Sequence, residues 1–278
     1  MELSELKVTL YAVDGGVATI TLHRPERLNA WTGRMHAEYR ALLARAADDA
    51  TVRVIVVTGS GRGFCVGADT KALEGHVERG SYDAGVGDDL AKPGYGVRPE
   101  FDADFAYHFG IPKPIIAAIN GPAAGVGLVL ACYCDLRFAA SGVKLTTSHG
   151  RLGLPAEYGL SWLLPRMIGL TRAADLLLSS RVVLAEEAEQ LGLVNGVVAP
   201  DELMATVGAY ARQLASGIAP SSLAATKSQI YRDLHGDVGS SVADAAIRLA
   251  TMMKGPDFAE GVAALTERRQ PNFPDPQN

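Results

Sequence analysis

Little in this chain speaks for disulfide, metal, membrane or nucleic-acid chemistry. Its 278 residues carry three cysteines, Cys65, Cys132 and Cys134. An odd set in apolar surroundings reads as buried, reduced thiols in a cytoplasmic protein. Cys132 and Cys134 are one residue apart, without the paired spacing of a zinc site, so no metal is expected. No apolar stretch reaches the roughly 18 residues of a membrane span. The opening MELSELKVTL lacks a basic stretch followed by an apolar core, so no secretory signal is expected. Net charge is −5 and no basic stripe appears, which argues against a nucleic-acid footprint. Neither a GxSxG elbow nor a GxxxxGK(S/T) loop is present, which excludes the familiar serine-hydrolase and nucleotide-phosphate motifs.

What is present suits a soluble α/β protein. Hydrophobic residues make up 48% of the chain and aromatics only 6%. The length allows one large core or two modest ones. Lys7 to Val13 and Val17 to Leu22 flank Asp14-Gly15-Gly16, a hairpin pattern. Thr32 to Asp49 reads as a helix with Met35, Tyr39, Leu42, Leu43 and Ala46 on one face. Strands are expected at Val52 to Thr58, Ile115 to Ile119 and Leu136 to Ala139, with a helix from Gly127. Such alternation indicates an α/β layer architecture. From Ser161 the chain reads as mostly helical, with an extended break at Leu193 to Val198 and three helical segments after Pro200. The segment 74–110 interrupts the pattern with Gly, Asp and Glu, as a lid or variable insert does. The organisation expected is a core over 1–199 and a helical region over 200–278.

Two glycine-rich turns stand out. Gly61-Arg62-Gly63-Phe64-Cys65-Val66-Gly67-Ala68-Asp69 follows the apolar run Val54 to Val57. Asn120-Gly121-Pro122-Ala123-Ala124-Gly125-Val126-Gly127 follows Ile115 to Ile119. Each has the pattern of a buried strand ending in a turn that needs glycine. The second runs into a helix, whose first N–H groups lack intrahelical partners. Two such loops facing each other would form an oxyanion hole, a site for charge developing on a carbonyl oxygen.

FCVGAD and NGPAAGVGLVLACYCD, in this order and at this separation, resemble the two motifs of the crotonase superfamily, the enoyl-CoA hydratases and isomerases. HRPERLNAW, KPIIAAINGPA and FAEGVAALTERRQPNF extend the resemblance from about Val17 to Phe273. It implies a crotonase (ClpP-like) spiral of β-β-α units with a helical C-terminal oligomerisation region, assembled as a homotrimer or homohexamer. It also implies an acyl-CoA thioester substrate, a place in fatty-acid metabolism, and no cofactor beyond the coenzyme A of the substrate. Ala68 and Val126 would supply the oxyanion N–H groups. Arg27, Arg62, Asp69, Thr70 and Lys71, with Arg24 nearby, are the candidates to contact coenzyme A around the first loop. Lys254 and Arg268 would reach a neighbour's ligand. Asp69 and Asp135 read as structural carboxylates. Tyr107, Phe109 and Trp162 are candidates for the acyl pocket or the core.

Hydratases of the family use two glutamates. Counting within the motifs puts Val129 at the first position and His149 at the second. A third position, after Leu-Gly-Leu, carries glutamate in peroxisomal Δ3,Δ2-enoyl-CoA isomerases and aspartate in dienoyl-CoA isomerases. Here it is Glu157. A glutamate among Leu154, Pro155, Ala156 and Gly159 is expected to be partly desolvated, which raises a carboxyl pKa toward the proton-shuttling range. His149 offers a second acid–base group or only fills the old glutamate position. The expectation is a double-bond shift on a thioester enolate with Glu157 as shuttle. The alternatives are hydration by Glu157 and His149, an acyl-CoA hydrolase or dehalogenase, and a coenzyme A-binding homologue without catalysis.

Overall fold

The computed structural model describes residues 1–79 and 90–275. Nine strands and ten α-helices lie within them. The hairpin forms as β1 (Thr9–Asp14) and β2 (Val17–Leu22). Helix α1 (Gly33–Asp48) follows, capped by Thr32, whose hydroxyl accepts from the Met35 N–H. Met35, Tyr39, Leu42, Leu43 and Ala46 are all buried, as their helical spacing requires. Then come β3 (Val54–Gly59), α2 (Thr70–Arg79), β4 (Ile115–Ile119), β5 (Ala123–Ala124), α3 (Val126–Tyr133), β6 (Leu136–Ala140) and β7 (Lys144–Thr146). Helices α4 (Leu160–Ile168) and α5 (Leu170–Ser179), strand β8 (Val183–Leu184), α6 (Ala185–Leu191) and β9 (Gly196–Val198) complete the core.

The main sheet has the order β1-β2-β3-β4-β6-β9. Only β1 and β2 pair antiparallel; the other pairings are parallel. Every residue of β3 and β4 is buried, which is why both read as unbroken apolar runs rather than alternating ones. A small second sheet, β5-β7-β8, stands beside the glycine turns.

After Pro200 the chain forms four helices instead of the three expected. They are α7 (Leu203–Gly217), α8 (Pro220–Asp233), α9 (Val238–Met252) and α10 (Pro256–Glu267). Pro220 and Pro256 sit in the first turn of their helices, where the missing N–H costs nothing, so each proline restarts a helix. Helix α7 buries Leu203, Val207, Ala211 and Ala215, one stripe at four-residue spacing. Helix α8 is tied to the core through Lys227, whose buried ammonium lies 2.8 Å from Asp135 and donates to the Lys113 carbonyl. Asp135 also accepts from the Ile115 N–H and the Tyr231 hydroxyl, so its role in the structure is to join β4 and α8.

The insert expected at 74–110 needs correction. Residues 80–89 lie outside the described part. The portion from 101 to 111 is not a peripheral lid, because Phe101, Phe105, Tyr107, Phe109 and Ile111 are buried in the core. Burial of that much aromatic surface outweighs the polar composition of the surrounding segment. Among the described residues no helix is long and apolar enough to cross a membrane, and no His, Cys, Asp and Glu group could hold a metal ion.

Candidate active site

The two glycine turns meet. Cys65 and Ala123 form a parallel bridge, with the Cys65 N–H donating to the Pro122 carbonyl and the Ala124 N–H to the Cys65 carbonyl. On its other side the first turn pairs with Trp31. The Trp31 N–H donates to Gly67 O at 2.7 Å and the Asp69 N–H to Trp31 O at 2.9 Å. Successive N–H groups of an extended segment point to opposite sides. The Ala68 N–H is therefore directed away from Trp31, and it has no acceptor among the described residues.

The second N–H comes from α3. Val126 is its first residue, and the Gly125 carbonyl before it accepts from the Val129 N–H. The Val126 N–H is one of the orphan donors of a helix start. Gly125 takes φ 50°, ψ −124°, a conformation essentially reserved for glycine. Gly127 is needed for another reason: a Cβ there would lie 2.0 Å from the Cys65 carbonyl oxygen. Glycine at 127 thus lets the helix start press onto the first turn, and the two orphan N–H groups end up on adjoining backbone.

Helix α3 links this end of the site to the acid-bearing segment. Its last residue, Tyr133, donates its hydroxyl to Tyr158 O at 2.6 Å. Burial pushes the Tyr133 phenol up to about 12, so it stays a donor. Gly159, at φ 71°, fits beneath it; a Cβ there would stand 2.9 Å from the Tyr133 hydroxyl. Glu157 is therefore held relative to Val126 by one rigid helix and one hydrogen bond. Burial raises the Glu157 carboxyl above its ordinary value, and the charge of nearby His149 opposes that rise. The Glu157 side chain has no hydrogen bond or ion pair among the described residues. His149 is buried at 6% exposure, in a single 3-10 turn, with its main chain tied to Thr147 and Leu154. Val129, at the position of the first family glutamate, is buried and apolar.

Beside Tyr158 and Gly159, the residues that follow Glu157, opens a cavity of about 450 Å³, whose wall includes none of Glu157, His149, Ala68 and Val126. Phe101, Phe109, Tyr133, Tyr158 and Trp162 line it, with Asp104 among the polar edges. Phe109 and Trp162 thus belong to its wall, whereas Tyr107 is wholly buried in the core. Asp104 and most of this wall escape sequence reading; the crowding of aromatics between 95 and 109 was the available signal. Phe105, next to Asp104, is fully buried at φ 62°, a backbone state costing about 1–3 kcal/mol for a residue with a side chain.

The coenzyme A candidates separate into two groups. Ala68, Thr70 and Lys71 are exposed together at the turn and the start of α2. Asp69 lies between them with both oxygens engaged, one by the Lys71 N–H and the other by Arg24 at 2.9 Å. Those contacts and the charge of Arg27 hold its carboxyl below the usual range against the opposing cost of burial. Arg62 instead borders a different hollow with Asn120 and Lys144. Lys254 and Arg268 are exposed.

Comparison with known proteins identifies the family. The family model for enoyl-CoA hydratase/isomerase matches residues 12–276. The chain is 37% identical over 268 residues to "Probable enoyl-CoA hydratase echA12" of Mycobacterium tuberculosis, covering 93% of this chain and 90% of that protein. It is 34% identical over 274 residues to 1,2-epoxyphenylacetyl-CoA isomerase of Escherichia coli, covering 96% and 98%. The crystal structure of an enoyl-CoA hydratase from Bacillus anthracis superposes with a TM-score of 0.84 at 27% identity, covering 96% and 99%. The chain belongs to the enoyl-CoA hydratase/isomerase family, has the crotonase fold, and is an acyl-CoA enzyme of hydratase or isomerase type.

Proposed function

We propose that the enzyme shifts a double bond in an acyl-CoA thioester. The thioester oxygen accepts from the N–H groups of Ala68 and Val126, and Glu157 carries the proton between carbons. Arg27 and Lys71, exposed beside the first turn, face the coenzyme A phosphates. Glu157 carries this reading: a half-buried carboxylate with a raised pKa and no hydrogen-bonding partner, on the segment bordering the cavity. One mobile base with an oxyanion hole suffices to take a proton from C2 or C4 and return it at the other carbon. Hydration by two glutamates would need an acid where Val129 stands.

The test is product analysis with paired substrates. A 3-enoyl-CoA is expected to convert to its 2-enoyl isomer faster than a 2-enoyl-CoA takes up water. Rapid hydration of crotonyl-CoA with 3-enoyl-CoA left untouched would overturn the assignment. The proximity of His149 to Glu157 favours a second reading, hydration shared by those two groups. In that case His149→Gln abolishes water addition, whereas for an isomerase driven by Glu157 alone it costs less than tenfold.

The assembly is a trimer or a dimer of trimers. Helices α9 and α10 support this, because large apolar side chains stand uncovered on both: Ile247 is 69%, Leu249 61% and Leu265 81% exposed. Contiguous apolar surface of this kind marks an interaction face. Light scattering is expected to report a multiple of three chains, and a monomer at micromolar concentration would count against it.

A further inference from the structure

The cavity beside Tyr158 and Gly159 carries information about the acyl group. On α3, Val126, Val129 and Tyr133 follow the i, i+3, i+7 spacing of one helix face. Seven residues of helix separate the oxyanion N–H from Tyr133 by about 10 Å along the axis. Val126 and Val129 are buried, and Tyr133 at the far end of this face is on the cavity wall, so an acyl group extended from Val126 along the helix would reach the cavity there. Its walls there are rings: Phe101, Phe109, Tyr133, Tyr158 and Trp162. Aromatic walls favour a ring over an alkyl chain through edge and face contacts.

Two polar side chains at the wall are already engaged. Glu100 is paired with Arg98 at 2.6 Å, and the Tyr133 hydroxyl serves Tyr158 O. His235 stacks on Trp162 with centroids 5.1 Å apart. Asp104 differs. Its carboxylate accepts no hydrogen bond among the described residues, and its nearest charged-type neighbour is His36 Nε2 at 3.9 Å, beyond bonding reach. That imidazole is buried at 2% exposure, its Nε2 has no hydrogen-bond partner among the described residues, and burial pushes it down to about 4, so it brings no positive charge at neutral pH. The strained turn at Phe105 holds the carboxylate where it is.

We infer that the acyl group ends in an aromatic ring bearing a hydroxyl, with the ring seated among the cavity aromatics and the hydroxyl donating to Asp104. This inference rests on the thioester reading above. A four-carbon stem, which keeps the C4 that the double-bond shift needs, plus a phenyl ring is comparable to the roughly 10 Å of helix between Val126 and Tyr133. A hydrogen bond to a carboxylate is among the stronger neutral-donor bonds, enough for about tenfold in affinity.

The test uses three saturated thioesters, which bind without turning over: octanoyl-CoA, 4-phenylbutanoyl-CoA and 4-(4-hydroxyphenyl)butanoyl-CoA. Calorimetric titration of the full chain is expected to rank the hydroxyphenyl compound about tenfold tighter than the phenyl one, and octanoyl-CoA weakest. Asp104→Leu should erase the hydroxyl advantage while keeping the affinity for the phenyl compound. Asp104→Asn, which preserves shape and still accepts a bond without charge, should reduce the advantage to a few-fold and stands in should the leucine variant fail to fold. Octanoyl-CoA binding as tightly as the aryl thioesters overturns the inference, as does a hydroxyl advantage unchanged in both variants. If octanoyl-CoA binds and the ring does not help, the inference alone fails. If none of the three binds to folded protein, the thioester reading fails with it.

Discussion

The two ends of the site are built by opposite means. The proposed oxyanion end is backbone, clamped between Trp31 and the Ala123 strand, and its glycines let main chain touch main chain. The proposed proton-transfer end is side chain. It rides on a segment where Leu152 and Leu154 are exposed and where Ser148 and Tyr158 take positive φ. Family members that share the first end can differ in chemistry by moving an acid on the second, since a surface segment tolerates exchange that a close-packed turn does not. Here Val129 and His149 stand where the two-glutamate pattern would put acids, and Glu157 is the carboxylate on the segment that leads into the cavity wall at Tyr158.

The largest expected effect comes from breaking the side-chain end alone. Glu157→Gln keeps shape and removes the base, so kcat should fall by about 10³-fold with KM little changed. Stability should hold or rise. The folded-state carboxyl titrates above its unfolded value, so the folded chain binds that proton more tightly. Its charge therefore weighs against the fold once pH rises through the raised value, and glutamine removes that penalty. A melting temperature clearly below wild type would mean that Glu157 is structural. In the wild type, activity should fall on the acid side with a midpoint above the ordinary glutamate value of 4.5, because the shuttle must start as carboxylate. Loss of that acid limb in a pH profile of the glutamine variant's residual activity is the matching control.

Breaking the backbone end should cost less and look different. Val126→Pro removes one N–H at the first helical residue, where proline is tolerated, and should lower turnover about 100-fold in a folded chain. Turnover equal to wild type would remove Val126 from the hole. The smallest effect is expected where the two ends are joined. Tyr133→Phe deletes the bond to Tyr158 O and frees the Glu157 segment without touching substrate chemistry. A three- to tenfold drop in kcat follows from the roughly 1 kcal/mol of such a bond. Melting should shift only slightly. A loss as large as that of Glu157→Gln would show that the tyrosine hydroxyl itself takes part in proton transfer.

Periodicity alone placed β3, β4 and the buried face of α1, because a strand covered on both sides or a helix covered on one leaves a direct mark on residue order. The run 101–111 was not legible in the same way. It has no regular period, and its burial arises only because five large apolar side chains find a gap between α1, α3 and α8. The count of C-terminal helices slipped for a local reason: prolines that look like stops are, at Pro220 and Pro256, starts.

Residue order by itself determined the backbone of the two facing glycine turns, since only glycine permits the Gly125 dihedrals and the approach of Gly127 to Cys65. It also determined that Val129 cannot be an acid, and that Glu157 is available to be one. The tertiary structure decided the rest. It brought Tyr133 to the carbonyl of Tyr158, set His149 near Glu157, and carried Asp104 from the middle of an unpromising segment to the wall of the cavity. The physical reason is the range of the interactions. A backbone conformation is a property of a residue and its neighbours in the chain, whereas desolvation, unpaired charge and cavity shape depend on groups that only folding makes neighbours.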